Sequence, residues 1–120
     1  MPKTHFISGA CGFVGKNMTK RLFNTTNDNI VIVDDLSIGT DPETWFSEPL
    51  VEEINGAKIY GKDKRVLFFN CDVREVIRNF QSDANYFSQF GFNIERFNDV
   101  FHFAAIVGGR LKIDGDPMMV

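Results

Sequence analysis

A turn built from glycine leaves a chain few choices, and this sequence places one near its start. Ser8-Gly9-Ala10-Cys11-Gly12-Phe13-Val14-Gly15 is wedged between the apolar run His5-Phe6-Ile7 and a helical pattern. In that pattern Met18, Leu22 and Phe23 recur among Lys16, Asn17, Lys20 and Arg21. Strand, glycine turn, helix is the setting that a phosphate-binding βα unit requires. Glycines let the backbone turn sharply and approach a pyrophosphate closely, while the free N–H groups of the helix start face the anion.

The rest of the chain continues the pattern. The first helix is expected over about 14–24, ending in the polar turn formers from Asn24 to Asn29. Ile30-Val31-Ile32-Val33 is a continuous β-branched run, the mark of a parallel strand buried on both faces. It ends in Asp34-Asp35, and the loop Leu36-Ser37-Ile38-Gly39-Thr40 follows. Asp41-Pro42-Glu43 reads as a helix start, with an N-cap, proline at the first helical position and an acid in the first turn. From there to Arg65 the pattern is weak. Strands are expected again at 65–70 and 99–103, with a broken helical stretch over 75–96 that Gly91 interrupts. The order β-α-β-(α)-β-α-β, joined by right-handed crossovers, predicts an α/β fold: a Rossmann-like parallel sheet ordered 3-2-1-4.

Length and composition set the outer limits. A chain of 120 residues is one domain at most, large enough for a real core and small for a complete enzyme. A net charge of −3 and the absence of a basic cluster argue against nucleic acid as a partner. No apolar run approaches the roughly 18 residues that span a bilayer, and no signal peptide precedes the first strand. Cys11 and Cys71 form neither a disulfide framework nor a metal-ligand set, which points to a reducing, cytoplasmic setting with no metal site. Near the end, Asp116-Pro117 announces a helix for which only Met118, Met119 and Val120 remain. An isolated helix needs about 12 residues to be even marginal in water. The expectation is that the sheet is incomplete on its C-terminal side and that a longer protein continues past Val120.

Glycines alone say little, since turns use them for reasons unrelated to ligands. Asp34 strengthens the reading: it stands at the tip of the second strand, where an acid meets a ribose hydroxyl. A carboxylate there favours NAD over NADP, because a 2′-phosphate would meet a negative charge and no Lys or Arg follows immediately. The rival is a P-loop, to which Ala10, Gly15 and Lys16 come close, but Ala10 replaces its first glycine and Asn17 its magnesium-holding hydroxyl. Tyr60-Gly61-Lys62-Asp63-Lys64 spells Y-x-x-x-K, yet Gly61 and its neighbours argue for a solvated loop rather than a catalytic helix. Cys11 reads as a small packing residue, Cys71 as a buried thiol, and His102 as a hydrogen-bonded histidine in the core or near the site.

With these residues assembled, the chain resembles the N-terminal half of an extended short-chain dehydrogenase/reductase of the NAD-dependent epimerase/dehydratase group, which acts on nucleotide sugars. Gly9, Gly12 and Gly15 match its G-x-x-G-x-x-G. Val33-Asp34-Asp35-Leu36-Ser37-Ile38-Gly39 is similar to its V-D-N-L-S-x-G, with Asp35 in place of asparagine. Asp72-Val73-Arg74 looks like its D-[IV]-R, and Phe101-His102-Phe103-Ala104-Ala105 like its H-x-A-A. Val107-Gly108-Gly109 is similar to a stretch of the GDP-fucose synthase branch.

The resemblance implies roles by position. Gly9, Gly12, Phe13, Val14 and Gly15 would hold the pyrophosphate, and Asp34, Asp35 and Ser37 the adenosine ribose. Asp72 and Val73 would flank adenine, and Ala104 and Ala105 would line the path toward the nicotinamide. Residues 1–120 would be the first part of an NAD(P)-binding Rossmann domain. The catalytic tyrosine, its lysine and the sugar-binding part of such proteins follow the fourth strand, and no tyrosine follows Tyr86 here. The expected function is NAD binding within a nucleotide-sugar epimerase, dehydratase or reductase, this stretch alone being inactive and the whole protein admitting a homodimer. The alternative is a non-catalytic dinucleotide-sensing or scaffold protein.

Overall fold

Strands as continuously apolar as Ile30–Val33 and Val66–Phe69 must be covered on both faces, and the fold supplies both covers. The computed structural model describes residues 2–103. Its elements are β1 (Thr4–Ser8), α1 (Phe13–Thr25), β2 (Asn29–Val33), β3 (Leu50–Ile54), β4 (Ala57–Tyr60), β5 (Val66–Phe69), α2 (Val73–Ser82) and β6 (Asp99–His102). Short 3-10 segments lie at Pro42–Thr44 and Tyr86–Phe90. All six strands form one sheet in the order β3-β4-β5-β2-β1-β6. Within it β5, β2, β1 and β6 run parallel, so the four strands read from apolar runs stand in the expected 3-2-1-4 order. The architecture is α/β and Rossmann-like.

Side chains alternate between the faces with the period of two that strands impose. On one face Phe6, Val31, Val33, Ile59, Leu67 and Phe69 pack with Val76 of α2 and with Phe87, Phe90 and Phe92. On the other, Ile7, Ile30, Ile32, Val66 and Phe68 pack with Met18, Leu22 and Phe23 of α1 and with Phe46. The broken helical stretch resolves into α2 and the second 3-10 segment, which ends at Gly91 in a left-handed conformation (φ 85°).

The middle crossover differs from the expected helix. Asp41 does cap a helix start, its carboxylate accepting from Glu43 N–H at 2.9 Å, but the helix lasts only from Pro42 to Thr44. Two causes are visible. Phe46 turns inward, meeting Phe23 and Tyr60 edge-on at ring-centroid distances of 5.1 and 6.0 Å. Pro49 then disfavours helix at the residue before it. The chain continues instead as the antiparallel hairpin β3–β4, closed by Asn55-Gly56 with φ of 48° and 83°. Both residues at positive φ make the type of turn whose twist suits a two-residue hairpin. The hairpin pairs through β4 with β5 and lengthens the sheet by two strands.

Polar groups tie the amino edge of the sheet. His5 in β1 is buried and sits between two carboxylates, with Nε2 2.8 Å from Asp28 Oδ2 and Nδ1 3.0 Å from Asp99 Oδ2. Arg65 donates to the carbonyls of Asp28 (2.9 Å) and Phe23 (3.1 Å), and its guanidinium lies 4.3 Å from the centre of the Phe23 ring. These contacts fix where β1, β2 and β6 begin, and so where they end. Ala104, Ala105, the Val107-Gly108-Gly109 stretch and the Asp116-Pro117 helix start lie outside the described residues.

Tyr60 and Lys64 are not the solvated pair read from Y-x-x-x-K. Tyr60 is buried in β4 because its ring faces Phe46, whereas Lys64 is exposed in a turn and pairs with Glu52 at 3.3 Å. Burial pushes the Tyr60 phenol pKa up, and its hydroxyl has no hydrogen-bond partner among the described residues. Tyr60→Phe is therefore expected to leave stability unchanged or raise it by up to about 1 kcal/mol in urea unfolding, and a clear loss would contradict this. A second expectation concerns acid. Burial pushes the Asp28 carboxyl up, but hydrogen bonds from His5 and the Lys3 N–H outweigh it and hold the pKa below the usual value. A lowered folded-state pKa contributes stability that is complete above about pH 4 and is lost as the pH falls through it. Asp28→Asn should flatten the acid limb of a stability-versus-pH curve.

Candidate functional site

The glycine turn lies at the carboxyl ends of the parallel strands, and its three glycines are there for different reasons. Gly9 follows β1 with φ 66°, a conformation that side chains disfavour, and its N–H donates to Val33 O at 2.9 Å. At Gly15 the reason is contact: a Cβ there would lie 2.3 Å from Gly9 O and 2.6 Å from Ala10 Cα, so α1 could not rest on the turn. Gly12 has neither reason. Its φ is −81°, and a Cβ would meet nothing nearer than Gly9 O at 3.6 Å, an ordinary contact. The fold would accept a side chain at position 12.

Gly12 is also the N-cap of α1, which has no side-chain cap and no acid in its first turn. The first N–H groups of a helix have no partner within it and carry partial positive charge. Here they stand behind a position with no side chain in the way. By contrast α2 is capped: Asp72 accepts from Arg74 N–H at 2.8 Å, and Glu75 lies in the first turn.

Asp34, at the tip of β2, is drawn into the turn. Its Oδ2 accepts from Cys11 N–H at 2.8 Å and its Oδ1 from Leu36 N–H at 2.7 Å. The loop after it returns to the same place, Thr40 N–H donating to Cys11 O at 3.3 Å. Gly39 makes that approach possible, since a Cβ on it would sit 2.6 Å from the Cys11 carbonyl carbon and oxygen. Asp35 is exposed, and Ser37 N–H donates to its Oδ1 at 3.0 Å. The N–H and hydroxyl of Ser37 hold the Asp35 carboxyl below the usual carboxylate range, against partial burial and the like charge of nearby Asp72. Asp72 is lowered in turn by Arg74, whose Nε and Nη2 donate to it at 3.1 and 2.8 Å.

Gly9, Gly12, Gly15, Asp34, Asp35, Ser37 and Asp72 thus share the carboxyl edge. Phe13 and Val14 open α1 with exposed side chains, so what they offer the turn is backbone. Val73 packs its side chain toward the α2 face of the core. His102 ends β6 with its Nδ1 hydrogen-bonded to Ser8 Oγ across β1. That pair lies between β1 and β6, where chain connections diverge and α/β sheets open a crevice. The Cys11 thiol is pushed up to about 12, chiefly by burial and then by Asp34 and Asp41, and the Cys71 thiol to about 11, chiefly by burial. Neither is a ready thiolate. Sequence reasoning missed the Ser8 contact to His102 and the packing role of Gly39, although Gly39 stood in a recognised motif. Among the described residues no acidic, His or Cys cluster could hold a metal, and no helix is long and apolar enough to cross a membrane.

The sorting of the glycines can be tested by alanine substitution and urea unfolding. Gly15→Ala should destabilise by about 2–3 kcal/mol or more, because backbone cannot move aside easily. Gly12→Ala should stay within about 1 kcal/mol of the wild type.

No protein-family model and no curated protein matches the chain. Among solved structures it is similar to an epimerase of the thermophilic, pseudomurein-containing methanogen Methanothermobacter thermautotrophicus, with a TM-score of 0.52 and 23% identity over 88% of this chain. The chain spans 23% of that protein's length. The likeness is one of fold: this chain has the α/β, Rossmann-like architecture found in that epimerase.

Proposed function

We propose that this chain is the NAD-binding portion of a nucleotide-sugar epimerase, dehydratase or reductase. Gly12 carries the proposal. Neither backbone conformation nor packing calls for glycine there, yet its missing Cβ clears the space before an uncapped helix start. That is what a pyrophosphate needs: close approach to polarised N–H groups. The fold likeness to an epimerase supports the same reading.

In this reading the N–H groups of Phe13, Val14 and Gly15 bind the pyrophosphate, with Gly9 and Gly12 shaping the approach. Asp34, Asp35 and Ser37 serve the adenosine ribose, Asp72 and Val73 flank adenine, and Ala104 and Ala105 lead toward the nicotinamide. The chemistry NAD supplies when bound is acceptance and return of a hydride at a sugar carbon. This chain's part is to bind and orient, in a cytoplasmic protein whose substrate is a nucleotide sugar and which admits a homodimer. Isothermal titration calorimetry on the whole chain checks it. NAD should bind, and Gly12→Ala should weaken it about tenfold or more while the fold persists. Binding of ATP that needs magnesium and Lys16, with none of NAD, would overturn the proposal.

A further inference from the structure

Asn55 is the only asparagine of the sequence that precedes a glycine, and the fold puts the pair at the apex of the β3–β4 hairpin. Both residues are exposed, with φ of 48° and 83°. The turn favours this dipeptide for its backbone. The same dipeptide also sets an electrophile beside a nucleophile, because the side-chain amide carbon of Asn55 can close a five-membered ring on the backbone nitrogen of Gly56. That nitrogen is open to the reaction. Its N–H makes no hydrogen bond among the described residues, and a Cβ built on Gly56 would meet nothing within 4 Å.

One contact holds the amide back. Asn55 Nδ2 donates to Gln89 Oε1 at 2.9 Å, which ties the apex to the 3-10 segment carrying Phe87 and Phe90. Gln89 is anchored in turn, its Nε2 donating to Tyr86 O at 2.9 Å. The Asn55 side chain thus reaches away from its own backbone, and it must give up this bond to turn onto Gly56.

We propose that Asn55 is a site of spontaneous deamidation, with Gly56 as the attacking residue and Gln89 as the restraint that sets its pace. The only co-reactant is solvent water. The Gly56 nitrogen gives its proton to hydroxide and bonds to Asn55 Cγ; the Cγ–Nδ2 bond breaks, and Nδ2 takes up a proton and leaves as ammonia. Water then opens the succinimide at one carbonyl to give aspartate, or at the other to give isoaspartate. Nothing is oxidised or reduced. The isoaspartyl product routes the main chain through Cβ and lengthens a loop whose turn type is set by its two residues. β3 is the outermost strand and pairs only with β4, so the loosening falls on it. The proposal does not depend on what the carboxyl edge binds.

The test ages the whole folded chain at neutral and mildly alkaline pH and maps its peptides by mass spectrometry, beside Gln89→Ala, Gln89→Glu and Asn55→Gly. The wild type should lose ammonia at Asn55 before any other asparagine, faster as the pH rises, with isoaspartate in excess of aspartate. Gln89→Ala should speed the loss about twofold or more, the hold that a hydrogen bond of ordinary net strength exerts. Gln89→Glu keeps an acceptor for Asn55 Nδ2 and should stay near the wild-type rate. Asn55→Gly keeps the turn and cannot deamidate, so its β3 amides should hold their hydrogen-exchange protection on ageing while those of the wild type lose it. The proposal is overturned if Asn24 or Asn27, both exposed, lose their amides first, or if Gln89→Ala leaves the rate at Asn55 unchanged.

Discussion

Helix α1 can lie against the glycine turn only because position 15 has no side chain. The hypothetical Cβ 2.3 Å from Gly9 O measures how little room there is. From that contact the rest of the carboxyl edge follows. The helix start is brought up to the end of β1, the turn hangs from Val33 O at the end of β2, and Asp34 gathers Cys11 and Leu36 from opposite sides. Thr19 repeats the tight packing one turn along, buried and with its hydroxyl donating to Gly15 O at 2.8 Å. The candidate site is therefore not a loop draped on a finished core. It is the point at which helix and sheet meet.

The two covers of the sheet are built differently. Met18, Leu22 and Phe23 of α1 cover one face, together with Phe46. On the other, α2 is short, and a network of rings takes over: Phe80 meets Phe87 at 4.9 Å, Phe69 meets Phe90 at 5.3 Å, and Phe6 stacks on Phe97 at 4.5 Å. Each such pair contributes about 0.5–1.5 kcal/mol beyond the area it buries. Rings large enough to bridge from a 3-10 segment to the sheet offset the brevity of the regular helix. The long phenylalanine count of the chain thus has a structural use, with Phe13, exposed at the helix start, as the exception.

How legible all this was in the sequence depended on where the deciding contacts lie. β1, α1, β2, β5 and β6 could be read because burial on both faces writes itself into continuous apolar runs and helical spacing. The hairpin could not be read that way. β3 alternates Leu50-Val51 with Glu52-Glu53 only loosely, and the helix cap at Asp41 points the opposite way from the Asn55-Gly56 dipeptide, itself a strong hairpin signal. A cap states that a helix can start, not how long packing lets it run. At the candidate site the glycines and acids were visible as residue types. What spacing could not say is which glycine the fold demands, or that Asp34 spends both oxygens on backbone, because those depend on how closely atoms approach once the chain is folded: position 15 against Gly9 O, and Cys11 N–H against a carboxylate 23 residues on.

The hairpin also changes what the sheet presents at its border. With β3 and β4 added beyond β5, the outermost strand on that side carries Glu52 and Glu53 beside the exposed Leu50 and Val51. Its pairing slips between Leu50 and Glu52, which breaks the straight run of unpaired backbone that another strand could dock on. Two molecules approaching border to border would have to bring together charged side chains, Glu53 and the Glu52–Lys64 pair. The addition thus works as a fender, holding apart copies whose β-rich surfaces would otherwise be free to zip together and precipitate.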